Sequence, residues 1–426
     1  MRGRWWPWLL LVLALVPALL ISKPKQSIQM APADSVTEAI FHNPATLDPA
    51  LASSGSEWAV ASNVFEPLFR LEPDGQVLPN LVSHDTINGN VLTLDIRPVA
   101  MVGGGHLTAS IVAAALARPL WPSVHSAVAA QLLAPVQGST AVIKGKTPFL
   151  SGVSLVNSQT VAIHLTHPVT TAFVQALANP ALAIVPASDL LRGGSDWQLT
   201  NLFGTGGYRI SNWVPNGMLT FRRESGRGPT RISLVVVPSF QQAVLSVQNQ
   251  AVQLVPVQPD QVGSIPQKLL ADVRSLPVPG NLNLIYRAGA KNVSTYPRIS
   301  VSDWVRASFR GRIAGLQGNW PAALPGGRPM TVYVNQAMPE AVQLAHTLAR
   351  LKPHQVTVRV VSLTQLETLA KNGQIGAYIG QVDWFKRGVS MPLAPLRSLW
   401  LVSPSIAHVA VYANGAADWH SLTLRP

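Results

Sequence analysis

The stretch GTGGYRI at 204–210 is the first candidate for chemistry, because three glycines in four residues can form a loop around a phosphate. Backbone N–H groups of such a loop bind phosphate well when the loop opens a helix. Here the glycines precede Tyr208 and Ile210, and a PNG turn leads on to Leu219 and Phe221, a pattern typical of strand, turn and strand. Neither GxxxxGK[ST] nor a GxGxxG loop before a helix is present. We therefore predict a turn at these glycines rather than a phosphate site.

Motifs of catalysis and metal binding are missing elsewhere in the sequence. His164 and His167 are closely spaced in a predicted strand, but a spacing of three on a strand places the two rings on opposite faces. The chain has no cysteine, and neither GxSxG nor HExxH occurs. We predict that the chain is not an enzyme and that it has no metal site and no cofactor.

The composition points away from the cytoplasm and from nucleic acid. Charged residues make up 12% of the 426 residues, about half of the usual share. The net charge of +13 comes from scarce carboxylates, and the basic residues are scattered rather than clustered among aromatic residues, as a nucleic-acid binder would require. This favours solubility outside the cell or contact with an anionic surface. Because few carboxylates would change charge on acidification, we hypothesise an acidic medium.

The N-terminus carries a targeting segment. MRGRWWPW is basic and aromatic, an apolar core follows up to Ile21, and SKPK at 22–25 closes it, as in a secretory signal. Residues 5–21 are also long enough for a short membrane span. The nearest A-x-A motif, at 31–33, lies far beyond the apolar core, so we favour an uncleaved anchor within 1–30 over a cleaved signal. Either way the rest of the chain would be extracytoplasmic: at the outer face of the cytoplasmic membrane, in the periplasm or secreted.

Strand and helix patterns are mixed along the chain rather than strictly alternating, which predicts a mixed α/β (α+β) fold in two or three lobes. SVTEAIF is a predicted strand, and the helix predicted over 58–68 has Ser56 or a neighbour as its cap. Another helix is predicted between Thr108 and Pro119, and 171–185 is predicted as a helix leading into a strand.

Seven stretches follow one another in a specific order: NPATLDPA at 43–50, SNVFEPLFRLEPDGQVLPNLV at 62–82, HLTASIVAAAL at 106–116, GVSLVNSQTVAIHLTHP at 152–168, GTGGYRISNW at 204–213, DWVRASF at 303–309 and MPLAPL at 391–396. Each is weak alone, but their colinearity over nearly all of 34–410 is specific. In this order the chain resembles the large extracytoplasmic solute-binding proteins of ABC importers, in the oligopeptide, dipeptide and nickel-binding family.

The resemblance implies a periplasmic-binding-protein-like clamp of two lobes with an additional smaller domain, closing on its ligand by hinge motion. Lobe I would combine 34–62, 184–285 and 396–426, the small accessory domain would be 63–183, and lobe II would be 286–395. The hinge would consist of extended strands near LNLIYR and SMPLAPL.

The resemblance also implies where the ligand binds. Peptide binders of this family have a W-x-A-D-Y segment whose carboxylate pairs with the α-amino group of the peptide. Here Trp384 begins that segment and Arg387 stands at the carboxylate position, where a cation would favour a carboxylate or phosphate. We predict Trp384 and Arg387 as ligand-binding residues, with Asp383 able to restore the carboxylate through a shift of register. Ser54 and Gly55 are further candidates for backbone contacts at the mouth of the cleft. The alternative is that Trp384 is a core residue, Arg387 is solvated and the loop at Ser54 is a plain surface loop.

The expected function is therefore the solute-binding component of an ABC importer. It would be a monomer that takes a peptide or similar small molecule to permease subunits, associates with the membrane through its N-terminal segment and binds no nucleic acid. Departures from the family leave an alternative open: its G-E-x-D motif is QAVQ at 250–253, Ile111 replaces an aspartate, and the segment after Trp384 is short. The alternative is a degenerate, membrane-tethered sensor or interaction module.

Overall fold

The computed structural model describes residues 34–101, 105–185, 204–287, 330–335, 341–342, 345–346, 349, 356–380 and 388–425. The N-terminal segment that we predict as an anchor or signal lies outside these ranges. Among the residues that are described, no helix has both the length and the apolar character needed to cross a bilayer.

Strands dominate the described part of the chain. In chain order they are β1 (Ser35–Ile40), β2 (Phe69–Leu71), β3 (Val77–Pro79), β4 (Val82–Asn88), β5 (Val91–Ile96), β6 (Val153–Leu155), β7 (Thr160–His164), β8 (Tyr208–Val214), β9 (Met218–Arg223), β10 (Arg231–Val236), β11 (Leu254–Val257), β12 (Val273–Arg287), β13 (Met330–Asn335), β14 (Val356–Val361), β15 (Ala377–Gly380), β16 (Gly388–Val402), β17 (Ile406–Val411) and β18 (Ala417–Leu424). The helices are α1 (Gly55–Val64), α2 (Ala109–Ala117), α3 (Ala127–Leu132), α4 (Ser139–Ile143), α5 (Thr171–Ala176), α6 (Phe240–Gln248) and α7 (Leu363–Lys371).

The largest sheet has ten strands in the order β14-β13-β15-β12-β16-β11-β1-β10-β9-β8. Parallel pairs (β1 with β10, and β13 with both β14 and β15) occur beside antiparallel ones, so the sheet is mixed. A separate antiparallel sheet, β4-β5-β7-β6, lies within the range that we predict as the small domain, and β17 pairs with β18. Mixed sheets with helices confirm the predicted α/β class.

Two long strands in the middle of the ten-stranded sheet join the strands β14, β13 and β15 on one side to β11, β1, β10, β9 and β8 on the other. β12 and β16 run antiparallel for 15 residues each and contain the LNLIYR and SMPLAPL stretches. Their register shifts between Pro277 and Asn281, where Gly280 has φ +104°, a left-handed conformation that glycine adopts without strain. Both segments predicted as hinge strands are therefore strands, and they pair with each other.

The cores follow from the alternation of apolar residues. The largest apolar cluster joins the inner face of β1 and β8–β10 to the four-stranded sheet and to Trp419. A second cluster packs α6 against β11 and the β13–β15 strands, with Phe240 and Val332 among its members. Ser239 caps α6 by accepting a hydrogen bond from the N–H of Gln242 at 3.3 Å.

Three local predictions were wrong. α1 ends at Val64 rather than continuing to residue 68, because Pro67 disfavours helical backbone at the residue before it and cannot donate a helical hydrogen bond. After α5 the segment 183–185 forms no strand: the N–H of Ile184 donates to the carbonyl of Glu66 in a loop, at 2.8 Å. β7 ends at His164, so His167 lies beyond the strand.

Candidate functional site

The residues that the sequence places at the ligand are divided between two parts of the chain. Asp383, Trp384 and Arg387 lie outside the described residues, and their roles stay predictions. Ser54 and Gly55 are described at the start of α1, where Gly55 is exposed and has open space around its Cα.

Ser54 is the N-cap of α1, and its polar groups are used within the loop. Its hydroxyl accepts from the N–H of Glu57 at 3.4 Å, while its own N–H donates to the Glu57 carboxylate at 2.9 Å, a reciprocal capping box. The N–H groups of Ser53 and Ala45 donate to the same carboxylate. Burial alone would raise the pKa of Glu57, but these hydrogen bonds outweigh it and lower the pKa. Glu57 thus holds the loop that presents Gly55 to solvent.

The glycine loop at 204–207 packs against the end of α1. A Cβ on Gly204 would lie 1.7 Å from the carbonyl oxygen of Val64, and one on Gly206 would lie 2.5 Å from that of Asn63. The N–H of Gly206 donates to the Val64 carbonyl at 3.0 Å, and β8 follows directly. The loop needs glycine because backbone meets backbone here, which agrees with the predicted turn.

Asn63 connects α1 to the C-terminal hairpin. Its amide nitrogen donates to the carbonyls of Ala59 and Ala417 at 2.9 and 3.0 Å. Its amide oxygen accepts from the N–H of Trp419 at 3.0 Å and from the hydroxyl of Tyr412 at 3.4 Å. Because its side chain is fully buried and its amide groups are bonded on both sides, Asn63 acts as a structural residue.

A cavity of about 390 Å³ opens beside this junction, between the α1–β2 segment, the glycine loop and the β17–β18 hairpin. Its titratable lining residues come from distant parts of the chain: Glu66, Arg70, Arg97, Tyr412, Asp418 and His420.

The carboxyl groups of this cavity interact. Burial raises the pKa of Glu66 to about 7, and the Asp418 anion adds to the rise, while a hydrogen bond from Asn80 and the nearby Arg70 guanidinium oppose it. Burial also raises the pKa of Tyr412 well above its usual value, and the neighbouring carboxylates of Asp418 and Glu66 act in the same direction. At neutral pH the cavity therefore offers the Glu66 carboxyl group close to its midpoint of titration and the protonated phenol of Tyr412.

This arrangement can hydrogen-bond a small polar molecule. Sequence analysis missed it because Glu66 and Asp418 lie far apart in the chain. The one sequence signal was the matched stretch at 62–82, which contains Glu66.

A second cavity, of about 410 Å³, lies where β13 and β14 face α7. Tyr333 and Arg359 are register partners on these strands and both line it, with Gln365 on the helix. An aromatic ring beside a guanidinium is the chemistry that the sequence predicts for Trp384 and Arg387, and it occurs here within the range predicted as lobe II.

No family model matches the chain. Among characterised proteins of Escherichia coli (strain K12), the periplasmic oligopeptide-binding protein OppA is 27% identical over 183 residues, which are 42% of this chain and 34% of OppA. The periplasmic murein peptide-binding protein MppA is 30% identical over 195 residues, 45% of this chain and 36% of MppA. The probable deoxycholate-binding periplasmic protein YgiS is 26% identical over 222 residues, 51% of this chain and 41% of YgiS. The alignments thus span between a third and about two fifths of these relatives, all named as periplasmic, in agreement with the extracytoplasmic location predicted for this chain.

Solved structures share the fold over almost the whole chain. The unliganded open form of the periplasmic murein tripeptide-binding protein MppA has a TM-score of 0.69 at 15% identity, covering 93% of this chain and 98% of that one. OppA of Burkholderia pseudomallei has a TM-score of 0.60 at 14% identity, covering 93% of this chain and all of that one (100%). These likenesses confirm the predicted periplasmic-binding-protein-like fold, and the sequence matches confirm the resemblance to the oligopeptide-binding family.

Proposed function

We propose, from this resemblance to the oligopeptide-binding family, that the chain is the extracytoplasmic solute-binding component of an ABC importer. It captures a peptide or similar small solute in the cleft between two lobes and delivers it to permease subunits in the membrane. It acts as a monomer and catalyses no reaction.

One observation carries the proposal most directly. β12 and β16 are two paired 15-residue strands in the middle of the ten-stranded sheet. The fold that contains them matches an open, unliganded binding protein with a TM-score of 0.69. A pair of strands that crosses between two halves of a protein, with a register break at Gly280, suits closure by a hinge, in which a few residues absorb the change of backbone angles.

The charge at residue 387 supports a particular class of solute. A guanidinium at the position where the family has a carboxylate repels the ammonium group of a free peptide N-terminus and binds a carboxylate or phosphate well. We propose that Arg387 selects a peptide or small solute with an accessible anionic group and that Trp384 forms an apolar wall beside it.

Native mass spectrometry of the gently purified chain, followed by denaturation, tests this function. We expect release of a small anionic or peptidic molecule and a rise in the thermal midpoint when a pool containing it is added back. A protein that is empty and gains no thermal stability from peptide pools would contradict transport and favour the membrane-tethered interaction module.

The role of Arg387 has a matched control in its neighbour. Arg387→Ala and Lys386→Ala remove the same charge from adjacent positions. We expect Arg387→Ala to weaken binding of the released ligand by about tenfold or more, as for loss of a charge-assisted hydrogen bond, and Lys386→Ala to leave it nearly unchanged. Equal losses in both variants would show that general positive charge, and not a contact at residue 387, holds the ligand.

A further inference from the structure

Four charged residues from three separate stretches of the chain line the cavity of about 390 Å³ beside Asn63. Arg70 lies on β2, Arg97 directly follows β5, Glu66 lies between α1 and β2, and Asp418 lies on β18. Charged residues make up only 12% of the chain, so their concentration around one cavity is unusual. We call this space the junction cavity, because the ranges predicted as the small domain and as lobe I both line it.

The opposite charges around the junction cavity do not neutralise each other by direct contact. Arg70 pairs with Glu72, at 2.6 Å, and Glu72 is not part of the lining. No ion pair among the described residues joins Arg70 or Arg97 to Glu66 or Asp418. Arg97 is exposed and pairs with no described carboxylate. The lining therefore presents charges of both signs to whatever enters the cavity.

The acidic side of the lining is suited to an ammonium group. The carboxyl groups of Glu66 and Asp418 lie close enough for the charge of one to raise the pKa of the other. An ammonium group beside them would favour the ionised form of both, because a nearby opposite charge stabilises a carboxylate. The other titratable groups here are the phenol of Tyr412 and the ring of His420, whose Nδ1 lies 3.2 Å from a backbone carbonyl oxygen.

The rest of the wall is largely apolar. Phe65 and Leu81 are buried, Leu71 and Val99 are half-buried, and all four line the cavity. The volume of about 390 Å³ falls within the range of small-molecule pockets, which are about 300–1,000 Å³. Such a lining suits a ligand with a short apolar body and a charged group of each sign.

We propose that the junction cavity is a second binding site, which takes a small zwitterion of the amino-acid class with a short apolar side chain. Its ammonium group binds the carboxyl groups of Glu66 and Asp418, and its carboxylate binds the guanidinium of Arg97 through charge-assisted hydrogen bonds. Its side chain packs on the apolar wall. The bound ligand connects β18 to the segments around β2 and β5 and stabilises their contact.

This site differs from the one predicted for the transported solute. Its lining residues include none of the predicted solute-binding residues, which are Ser54, Gly55, Asp383, Trp384 and Arg387. The proposal therefore does not depend on which solute the chain carries.

L-Leucine and two analogues that each lack one charge test the ligand class. Isoamylamine is leucine without the carboxylate, and isocaproate is leucine without the ammonium group. Isothermal titration calorimetry on the full chain compares their affinities. We expect leucine to bind about tenfold more tightly than either analogue, because each analogue loses a charge-assisted hydrogen bond. Equal binding of leucine and one analogue, or no binding of any of the three, would overturn the proposal.

Proton release assigns the binding to this cavity. Because the pKa of Glu66 is about 7, an ammonium group that binds beside it near neutral pH displaces a proton from part of the molecules. Titrations in two buffers of different ionisation enthalpy should show this release in the native chain and none in Glu66→Gln. The variant keeps an acceptor for the hydrogen bond from Asn80, so it should remain folded.

Matched charge variants separate the cavity from the rest of the surface. Glu66→Gln and Arg97→Gln should each weaken leucine binding by about tenfold. Glu367→Gln and Arg222→Gln remove the same charges at positions outside the cavity and should leave the affinity unchanged. Equal losses in the cavity variants and the controls, or proton release that persists in Glu66→Gln, would show that leucine binds elsewhere and would refute the assignment.

Discussion

At the scale of single residues, the most consequential contact joins Asp48 to Arg118. The carboxylate accepts hydrogen bonds from both terminal nitrogens of the guanidinium, one at 3.1 Å from Nη1 to Oδ1, and both side chains are almost fully buried. The pair connects the LDPA loop before α1 to the turn that follows α2. Removing one partner of such a pair leaves an uncompensated buried charge.

Asp48→Asn should therefore destabilise the protein by roughly 3–5 kcal/mol, because the Arg118 guanidinium would stay buried without its counter-ion. Chemical denaturation followed by circular dichroism measures the loss. Glu72→Gln is the control, since it breaks the exposed pair with Arg70 and should cost less than about 1 kcal/mol. A loss for Asp48→Asn as small as that of the control would show that the buried pair adds little to stability.

Glu38 presents the opposite case, a buried acid that forms no ion pair with any of the described residues. Its carboxylate oxygen accepts from the indole nitrogen of Trp419 at 2.8 Å. Burial raises its pKa from 4.5 to about 7, against the effect of that hydrogen bond. A raised pKa in the folded state means that the stabilisation is present below pH 4.5 and is lost as the pH rises through 7.

Glu38→Gln removes this titration and keeps the shape and the acceptor for Trp419. The shift in pKa corresponds to a loss of roughly 3 kcal/mol in the unfolding free energy of the native chain between acidic and alkaline pH. The variant does not undergo this loss, so its stability relative to the native chain should rise with pH. Unfolding curves of both proteins at about pH 5 and about pH 8 measure the difference. A stability difference that stays constant with pH would refute the assignment of a neutral carboxyl to Glu38.

At the scale of elements, the end of α6 bears a residue whose backbone is strained. Gln250 has φ +60°, and it stands where the resembling family has glycine. A side chain in this left-handed region costs about 1 kcal/mol or more, which glycine avoids. Gln253, at the other end of the same motif, uses its side-chain oxygen to accept from the N–H of Thr37 at 2.8 Å.

Gln250→Gly is expected to stabilise the protein by about 1 kcal/mol, because relief of the left-handed strain exceeds the added flexibility of the unfolded chain. Thermal and chemical denaturation would both show the gain. Gln242→Gly, in the first turn of the same helix, is the control and should destabilise instead, by a similar amount. Destabilisation by both changes would mean that the side chain of Gln250 makes a contact that offsets its strain.

Local patterns predicted most of the elements. Thr108 caps α2 and the helix ends next to Pro119, as the sequence indicates, because caps and prolines act within one turn of helix. The same principle explains the error at α1, where the effect of Pro67 on the preceding turn was overlooked. The strand expected at 183–185 does not form. A pattern of apolar residues does not show whether a neighbouring strand has a free edge with which the segment could pair.

The buried polar contacts between distant parts of the chain could not be predicted in this way. Asp48 meets Arg118 across 70 positions, and Glu38 meets Trp419 across 381. Such pairs form only when the complete chain topology brings distant segments together, and a single sequence does not specify that topology. The positions of Ser54 and Gly55 near the start of α1 were predictable from the capping motif, whereas the cavity beside Glu66 was not.

At the scale of the whole molecule, two acids with raised pKa values favour stability at acidic pH. Glu38 and Glu66 both have pKa values raised to about 7, mainly by burial. Both contributions are fully present below the ordinary carboxyl pKa of 4.5 and are lost as the pH rises through 7. The thermal midpoint should therefore be higher at about pH 5 than at about pH 8, in line with the hypothesis of an acidic medium. Scanning calorimetry across this interval measures the trend, and a midpoint that rises steadily towards alkaline pH would contradict it.

The hydrogen bond between Glu38 and Trp419 also limits when the core around β1 can finish folding. β1 is the first strand that the structure describes, yet the indole that bonds its carboxyl belongs to β18, the last one. A chain that emerges from its N-terminus must wait for β18 before this core is closed. Until then the apolar face of β1 is not covered by β18, so the unfinished chain exposes apolar surface that can aggregate. Closure of this core thus coincides with arrival of β18.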